Sequence, residues 1–212
     1  SVAWALPFVI AQRTRATGPN QQDFVDMIEF YSGSKKVQVE VTEKLPLTSP
    51  GNFYMYARSS EAGEIWPAVY EKAYAKWRTN HTGDTPNIAL IAGGDPVGAL
   101  AQLTGWTPYY YSCPSLTADA IYQKVRENCL SRKTFNPMVA WTYCKPPAGV
   151  NYGSAHIAGC HAYSLLGWNY VNGKKYVVLR NPWGNYEAIT GVSGGSWVAY
   201  DGSFWRTIAL AT

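Results

Sequence analysis

Alternation of apolar and polar residues predicts a strand near the middle of the first hundred residues. In residues 36–42, KVQVEVT, every second residue is valine and the residues between are mostly charged or polar. This period of two is typical of a half-buried strand. The following segment, 45–52, contains two prolines and a glycine, which interrupt regular structure. Earlier, residues 4–12 form a dense apolar run that predicts a buried helix, with Pro7 acceptable only in its first turn.

Apolar residues four positions apart predict three further helices. In EIWPAVYEKAYAKW, residues 64–77, Pro67 suits the first turn and Glu64 the positive end of the helix dipole. In residues 91–103 a glycine pair precedes Asp95, a good N-cap, and a proline suited to the first helical position. Residues 116–130, LTADAIYQKVRENCL, form the third amphipathic pattern.

Strand patterns dominate the remainder of the chain. Residues 137–144, 161–171 and 174–181 are rich in aromatic and β-branched side chains, and an Asn172-Gly173 turn joins the last two. Helices prevail in the first half and antiparallel strands in the second. The order of elements therefore predicts an α+β fold.

Composition limits the possible classes of protein. With 212 residues, 47% of them hydrophobic and 15% charged, the chain is expected to form a globular fold of one or two domains. The net charge of +4 is not gathered into a Lys/Arg run, which argues against a nucleic-acid partner. No stretch reaches the roughly 20 apolar residues that a membrane span needs. The short run ALPFVIA, which follows no Lys or Arg, is a poor signal peptide.

The cysteines are evenly spaced, and their spacing leaves their state open. Cys113, Cys129, Cys144 and Cys160 contain no CxxC pair, so a zinc site is not expected. Two disulfides are possible, but buried free thiols are the favoured interpretation. A glycosylation sequon begins at Asn80, although such triplets occur often by chance. The compartment is therefore not determined.

Three histidines are candidates for chemistry. His81 lies in the polar segment NHTGD and His156 in GSAHIAG, both of which predict loops. His161 opens a predicted strand, and the next strand ends at Asn181. A hairpin of that size can bring the two together, and an Asn oxygen can hold an imidazole in one tautomer. The alternative is a structural histidine whose hydrogen bonds are merely satisfied.

The segments around these two residues resemble a known family. GCHAYSLLGW followed by YVVLRNPWGN is similar to the His and Asn segments of the calpain family of cysteine proteases. Papain-type proteases usually have Asn-Ser-Trp-Gly at the second segment, so Pro182 favours calpain. EIWPAVYEKAYAKW, GGDPVGALAQLTG and YDGSFW resemble further calpain segments in the same order, and the resemblance spans essentially the whole chain.

The resemblance implies a fold and an activity. The fold would be the papain-like α+β fold of calpain type, with a helical subdomain of residues 1–92, a β-rich subdomain of residues 93–212 and a cleft between them. The activity would be that of an endopeptidase that hydrolyses peptide bonds of protein or peptide substrates with a Cys-His-Asn triad. An intracellular location would also follow from the family, against which the sequon stands.

Roles carry over to matching residues. His161 would act as general base and acid, Asn181 would orient its ring, and Trp183 would shield that hydrogen bond from water. Gly93 and Gly94 would let a substrate backbone approach closely, since no Cβ obstructs it.

The two residues that precede the catalytic histidine would also contact the substrate. Gly159 and Cys160 precede His161, and the family usually has glycine where Cys160 stands. The Cys160 side chain would therefore narrow the primary specificity pocket.

The nucleophile is where the sequence departs most from the family. The nucleophile helix begins with Cys-Trp in calpains, whereas SVAW here places Ala3 at the cysteine position. A methyl group cannot attack a carbonyl, and neither Ser1 nor Cys160 is suitably placed to substitute. Ala3 is either an engineered change or the mark of a natural pseudoprotease that binds peptides as a scaffold. Retention of His161 with Asn181 and Trp183 favours the first.

Other family features are incomplete. The oxyanion-hole Gln of the family would lie before Ser1, so a missing upstream segment or flanking domains are expected. No cofactor is required by the resemblance, but classical members bind calcium through oxygen ligands. Glu187 and Asp201 match possible calcium ligands, whereas Ser203 stands where a Glu is usual and GVSGGSW lacks an Asp. Weak or absent calcium binding is therefore expected.

Overall fold

The computed structural model describes residues 25–47, 54–57, 65–152 and 157–182, together with the backbone of strands 198–200 and 203–209. Its contacts divide the chain into two compact units, with the change between Pro108 and Tyr109. This change lies later in the chain than residues 92 and 93, because the second helix of the first unit packs on that unit's first strand. The family-based division of the chain, with its cleft, stays a prediction. The predicted helix at residues 4–12 lies outside the described residues.

The first unit contains a two-stranded antiparallel hairpin. Strand β1 spans Val25–Ser32 and β2 spans Lys35–Thr42, which confirms the strand predicted from the valines. Val39 and Val41 are buried, as the alternation requires. Strand β1 was not predicted, because the adjacent apolar residues 27 and 28 break its alternation.

Helix α1, Trp66–Arg78, packs on this hairpin. It confirms the helix predicted for residues 64–77, and its proline lies in the first turn as expected. Phe30 of β1 lies between aromatic side chains of α1: its ring stacks on Trp77 at 5.2 Å and meets Tyr70 edge-on at 6.1 Å. The broad apolar face seen in the sequence is therefore a core face.

A short 3₁₀ turn, Ile88–Ile91, leads to helix α2, Pro96–Thr104. The Asp95 side chain accepts hydrogen bonds from the backbone N–H groups of Val97 and Gly98, which confirms it as the N-cap.

A buried lysine connects three segments of this unit. Lys72 of α1 is only 2% exposed, and its ammonium group donates to the carbonyls of Thr42 and Lys44 and to Asp84 Oδ2 at 2.8 Å. Asp84 also accepts from the N–H and the hydroxyl of Thr42. Burial on its own would raise the pKa of Asp84, but the hydrogen bonds from Lys72 and Thr42 lower that pKa below its ordinary 3.8.

The second unit is built on an antiparallel sheet of six strands, in the order β3-β4-β5-β6-β8-β7. A 3₁₀ turn, Cys113–Ser115, precedes helix α3, Ala118–Glu127, which packs on β5 and β6. The strands are β3 (Cys129–Leu130), β4 (Lys133–Trp141), β5 (Ala162–Val171), β6 (Lys174–Arg180), β7 (Val198–Tyr200) and β8 (Ser203–Ala209). All three predicted strand segments and the predicted third helix are confirmed, as is the α+β class.

The central hairpin of the sheet positions the candidate site. Val171 pairs with Lys174, so Asn172 and Gly173 form a two-residue turn, both with positive φ. At the other end Ser164 pairs with Arg180, which places the start of β5 beside the end of β6. Val125 of α3 packs against Leu165 and Val177, holding the helix on this hairpin. No helix in the described part of the chain is long and apolar enough to cross a membrane.

We expect Asp84→Asn to lower the free energy of unfolding by about 3 kcal/mol at pH 7, because it leaves the Lys72 charge buried without a counter-charge. Ionised Asp84 stabilises the folded parent protein, and this stability is lost as pH falls from 3.8 through the lower pKa that Asp84 has in the folded state. The variant has no carboxylate at this position and therefore lacks this pH dependence. Urea unfolding at several pH values measures both effects.

The matched control is Glu127→Gln, which breaks the exposed Lys124–Glu127 ion pair by the same chemical change. It should alter stability much less than Asp84→Asn does, because solvent screens an exposed ion pair. Equal losses of stability in the two variants would show that the Lys72–Asp84 pair contributes no more than an exposed ion pair does.

Candidate active site

The structure brings His161 and Asn181 together, as the hairpin argument predicts. His161 immediately precedes β5 and Asn181 immediately follows β6. His161 Nε2 lies 2.9 Å from Asn181 Oδ1, and the Asn181 side chain is buried. The juxtaposition follows from the strand register, which aligns these two ends of the hairpin.

This hydrogen bond selects one tautomer of the imidazole. An amide oxygen only accepts hydrogen bonds, so Nε2 carries the proton and donates it to Asn181. In the neutral ring Nδ1 then carries the lone pair. The arrangement therefore provides a base at Nδ1 whose opposite nitrogen is anchored.

Burial makes this base easier to keep neutral. Desolvation lowers the pKa of His161 below its ordinary 6.5, because an apolar environment disfavours the imidazolium, and the Asn181 hydrogen bond offsets part of that effect. Near neutral pH the ring is consequently uncharged and able to accept a proton. Any stability that comes from the buried neutral ring is lost as pH falls below 6.5 through the lower folded pKa.

Tyr163 supports the imidazole from the side. Its ring meets that of His161 edge-on, with centroids 4.8 Å apart and planes at 88°. Tyr163 is 5% exposed, and its hydroxyl accepts a hydrogen bond from the N–H of Ala158 at 2.8 Å. One buried side chain thus contacts the ring and the loop that precedes it.

Thr142, just after β4, holds the backbone at the same place. Its N–H donates to the carbonyl of His161 at 3.0 Å, and its hydroxyl accepts from the N–H of His161 at 3.1 Å. The same hydroxyl donates to the carbonyl of Ala158 at 2.7 Å. The backbone N–H and carbonyl of Ala158 are therefore both hydrogen-bonded to side chains, the N–H to Tyr163 and the carbonyl to Thr142.

Sequence reasoning did not identify these two supporting residues. Tyr163 lies within the HAYS run that resembles the family, which was a usable signal. Thr142 follows a strand with no motif around it, and only the pairing of β4 with β5 brings it to His161.

The structure joins Cys144 to Cys160 in a disulfide. The favoured interpretation of free thiols is therefore wrong for this pair, because the paired ends of β4 and β5 bring the two residues together. Cys113 and Cys129 are free thiols, the first exposed and the second partly buried. The sulfur of Cys160 is bonded, so it has no thiol available as a nucleophile.

The residues before His161 are shaped by this link. Cys160 has φ of 52° and donates its N–H to the carbonyl of Tyr143. A Cβ on Gly159 would lie 3.0 Å from the carbonyl oxygen of Cys144, so glycine suits that position. Both residues are exposed. Contact of Gly159 and Cys160 with substrate stays a prediction.

The glycine pair belongs to the first unit. Gly93 and Gly94 are exposed and have φ of 79° and 125°, and a Cβ at either position would meet nothing within 4 Å. Backbone conformation, rather than crowding, therefore favours glycine there. Their predicted contact with a substrate backbone is untested.

Several predicted site residues lie outside the described residues: Ala3, His156, Trp183, Glu187 and Asp201. The described part of the chain contains no group of three or more His, Cys, Asp or Glu side chains placed to hold a metal ion. His81 is exposed in a loop, as predicted.

We expect the two substitutions Asn181→Leu and Asn181→Asp to move the pKa of His161 in opposite directions. The leucine removes the hydrogen bond that favours the charged ring and lowers the pKa further, whereas the aspartate places a negative charge beside Nε2 and raises it. Titration of the imidazole signals by NMR measures both. Identical pKa values in all three proteins would contradict the anchored geometry.

Replacing Cys144 and Cys160 together by serine should lower the free energy of unfolding by about 3 kcal/mol, since the bond closes a loop of about 15 residues. Denaturant unfolding under non-reducing conditions measures the loss, with Cys113→Ser, which removes a free thiol, as the control. Thiol titration of the denatured parent protein should find two of its four cysteines reactive. Four reactive thiols would exclude the disulfide.

Comparison with known proteins identifies the family of this chain. The profile of the family described as "Calpain family cysteine protease" matches residues 9–208. A "Thiol protease" of Porphyromonas gingivalis is 37% identical over 129 residues, covering 59% of this chain and 26% of that protein. "Calpain-8" of Homo sapiens is 27% identical over 179 residues, covering 80% of this chain and 24% of its own length.

A third relative, "Calpain-A" of Drosophila melanogaster, is 29% identical over 160 residues, covering 74% of this chain and 18% of that protein. The chain thus spans about a quarter of the length of the first two relatives. The profile match covers most of the 212 residues and includes both His161 and Asn181. The chain belongs to the calpain family of cysteine proteases.

Proposed function

We propose that this chain is the core of an endopeptidase that cleaves peptide bonds of protein substrates, with His161 as general base and acid and Asn181 as its orienting partner. The observation that carries the proposal is the 2.9 Å contact between His161 Nε2 and Asn181 Oδ1. This contact directs the basic Nδ1 away from the anchor, where a thiol can meet it. The family membership supplies the reaction type.

In the proposed mechanism a cysteine at the nucleophile position gives its proton to His161 Nδ1. The thiolate attacks the scissile carbonyl, and the tetrahedral intermediate collapses when the imidazolium protonates the leaving amine. An acyl-enzyme remains. Water then attacks this thioester while Nδ1 accepts its proton, and the proton returns to the departing thiolate, which restores the starting state.

The supporting contacts serve this cycle by limiting ring motion. Nδ1 must face a thiol and then a leaving nitrogen without a large rotation, because proton transfer requires hydrogen-bond distance. Asn181, Tyr163 and Thr142 restrain the ring or its backbone. Trp183, two residues after Asn181, is proposed to keep water from that hydrogen bond.

Ala3 makes the chain as written inactive under this proposal. Alanine has no group that can attack a carbonyl, so no acyl-enzyme forms. The assignment of Ala3 depends on the SVAW segment, which precedes the residues matched by the family profile.

Ala3 also favours a second candidate function, a pseudoprotease that binds peptides without cleaving them. In that case the His161–Asn181 pair is retained as part of a binding surface. The two functions differ in whether restoring a thiol restores chemistry. The natural gene also distinguishes them, because its codon for residue 3 specifies cysteine only if the protein is a protease.

Calcium is proposed to be dispensable. Ser203 stands where the family usually has Glu, and GVSGGSW lacks the expected Asp, so the possible ligands Glu187 and Asp201 have little support. Any activity of a thiol-restored protein should therefore persist in a calcium chelator.

The deciding experiment is the substitution Ala3→Cys, made together with any natural sequence that adjoins this chain. We expect cleavage of an unfolded protein such as casein and covalent labelling by a thiol-reactive epoxide, both absent from the parent. Mass spectrometry of the labelled protein should locate the epoxide on residue 3.

The matched control is Ala3→Ser, which introduces a hydroxyl instead of a thiol. A hydroxyl does not ionise easily, so this variant should remain unlabelled. The double variant Ala3→Cys/His161→Ala should cleave at least about 100-fold more slowly than Ala3→Cys. A folded Ala3→Cys protein that neither cleaves nor reacts would exclude the protease and leave the peptide-binding candidate.

A further inference from the structure

Three cations surround an aromatic pair in the second unit. Tyr122 of α3 and Trp168 of β5 meet edge-on, with ring centroids 5.7 Å apart. The guanidinium carbons of Arg126 and Arg132 lie 4.8 Å and 5.3 Å from the centre of the Trp168 ring. The Lys175 ammonium lies 5.7 Å from the Tyr122 ring. We refer to these five residues as the basic cluster.

The two arginines of the cluster repel each other. Their distances to one shared ring place the guanidinium carbons at most about 10 Å apart. Neighbouring lysines have carboxylate partners, Lys124 in Glu127 and Lys175 in Asp119. Within the described residues, neither Arg126 nor Arg132 has an ion pair with a carboxylate. Cation–π contacts offset part of this repulsion. Glu127, which lies at the same surface, is paired with Lys124.

Arg132 is placed there at a conformational cost. Ser131 and Arg132 form the two-residue turn between β3 and β4, with φ of 51° and 71°. Turns of this kind favour Asn and Gly, because the left-handed region is strained for other residues. The chain accepts arginine at this position, where its side chain reaches Trp168.

The turn is also fastened to the sheet. Trp168 donates its N–H to the carbonyl of Arg132 at 3.1 Å, and Arg132 Nη1 donates to Asn169 Oδ1 at 3.2 Å. A Cβ on Gly167 would lie only 2.0 Å from the Arg132 carbonyl oxygen, so only glycine permits this approach. The position of Arg132 is therefore built into the fold.

Two adjoining surface cavities meet at these side chains. Their volumes are about 430 Å³ and 410 Å³, and both are lined by Arg126, Arg132 and Trp168. The second also reaches Tyr170 and Lys175. The arginines are exposed, so a ligand can reach their outward N–H groups.

We propose that the basic cluster binds an acidic segment of a polypeptide, with the carboxylates of alternate Glu or Asp residues on Arg126 and Arg132. A guanidinium binds a carboxylate through two parallel N–H donors, which makes arginine suited to this ligand. Alternate side chains of an extended peptide lie about 7 Å apart on one face. This spacing lies below the upper limit of about 10 Å that the contacts of the two arginines with Trp168 set on the distance between their guanidinium carbons.

The same contacts disfavour a nucleic acid. Single strands bind proteins through stacking of bases on open aromatic faces together with a long basic groove. In the cluster the rings of Tyr122 and Trp168 are engaged by cations and by each other. A stacking base would displace those contacts, whereas a carboxylate approaches the outer edges of the guanidinium groups and leaves them in place.

The test uses the chain as written, so its outcome is independent of protease activity. A fluorescein-labelled peptide of alternating Glu and Ala is titrated with protein at low salt and followed by anisotropy, beside a peptide with Gln for Glu. We expect the double variant Arg126→Gln/Arg132→Gln to bind the Glu peptide at least tenfold more weakly than the parent. We expect no binding of the Gln peptide, and weaker binding of the Glu peptide as salt increases.

The matched control is Lys35→Gln/Lys44→Gln, which removes the same charge from exposed positions in the first unit. It should bind like the parent if the cluster itself is the site. Equal binding by the two double variants, or equal binding of the Gln peptide, overturns the proposal. Thermal unfolding verifies that each variant is folded, and Arg126→Gln alone replaces the double variant if the turn tolerates no change at Arg132.

Two further arms test other sources of negative charge. The parent is sedimented with vesicles containing phosphatidylserine, and inorganic phosphate is titrated into the peptide complex. Arginine-dependent binding to vesicles without binding to the Glu peptide overturns the choice of a polypeptide. Displacement of the peptide by phosphate at a concentration near the peptide's dissociation constant also overturns the choice of a polypeptide, because it indicates a site for a simple anion.

Discussion

The register of the β5–β6 hairpin is the constraint on which the candidate site depends. A two-residue turn at Asn172-Gly173 and a register shift between Leu165 and Gly167 set which residues oppose each other, and at the far end of the hairpin this pairing puts His161 beside Asn181. A slip of one residue would turn every side chain of β6 to the opposite face of the sheet. The packing of α3 on the hairpin, through Val125, stabilises this register. The geometry of the imidazole is therefore a consequence of the pairing of the whole sheet.

Around that hydrogen bond the fold restrains the base by several independent means. The Thr142 hydroxyl holds the backbone, the Tyr163 ring contacts the imidazole, and the disulfide at Cys160 closes the preceding loop. Burial lowers the pKa of His161, so the restrained ring is also uncharged near neutral pH. This restraint supports the proposed role of His161 in proton transfer. Ala3 at the expected thiol position departs from the family pattern.

The same sheet carries a second feature with a different physical basis. At the candidate site an apolar environment disfavours charge, whereas near Trp168 two guanidinium groups are held together in the open. Arg132 reaches its place through a costly turn and a close backbone approach at Gly167. Sequence reasoning did not identify this cluster, because no run of Lys or Arg is visible along the chain. Arg126 and Arg132 are close in the chain, but the Trp168 ring that both approach comes from β5, more than 30 positions later.

Local chemistry alone was sufficient to predict much of this protein. The N-cap of α2, the proline in the first turn of α1, the valine alternation of β2 and the Asn-Gly turn each depend on neighbours within about one turn or strand. The sequence also identified His161 and Asn181, because strand length and turn position determine which ends meet. Only the tertiary structure decided the Cys144–Cys160 pairing, the role of Thr142 and the arginine cluster. These depend on which distant segments lie side by side, and spacing along the chain does not encode that.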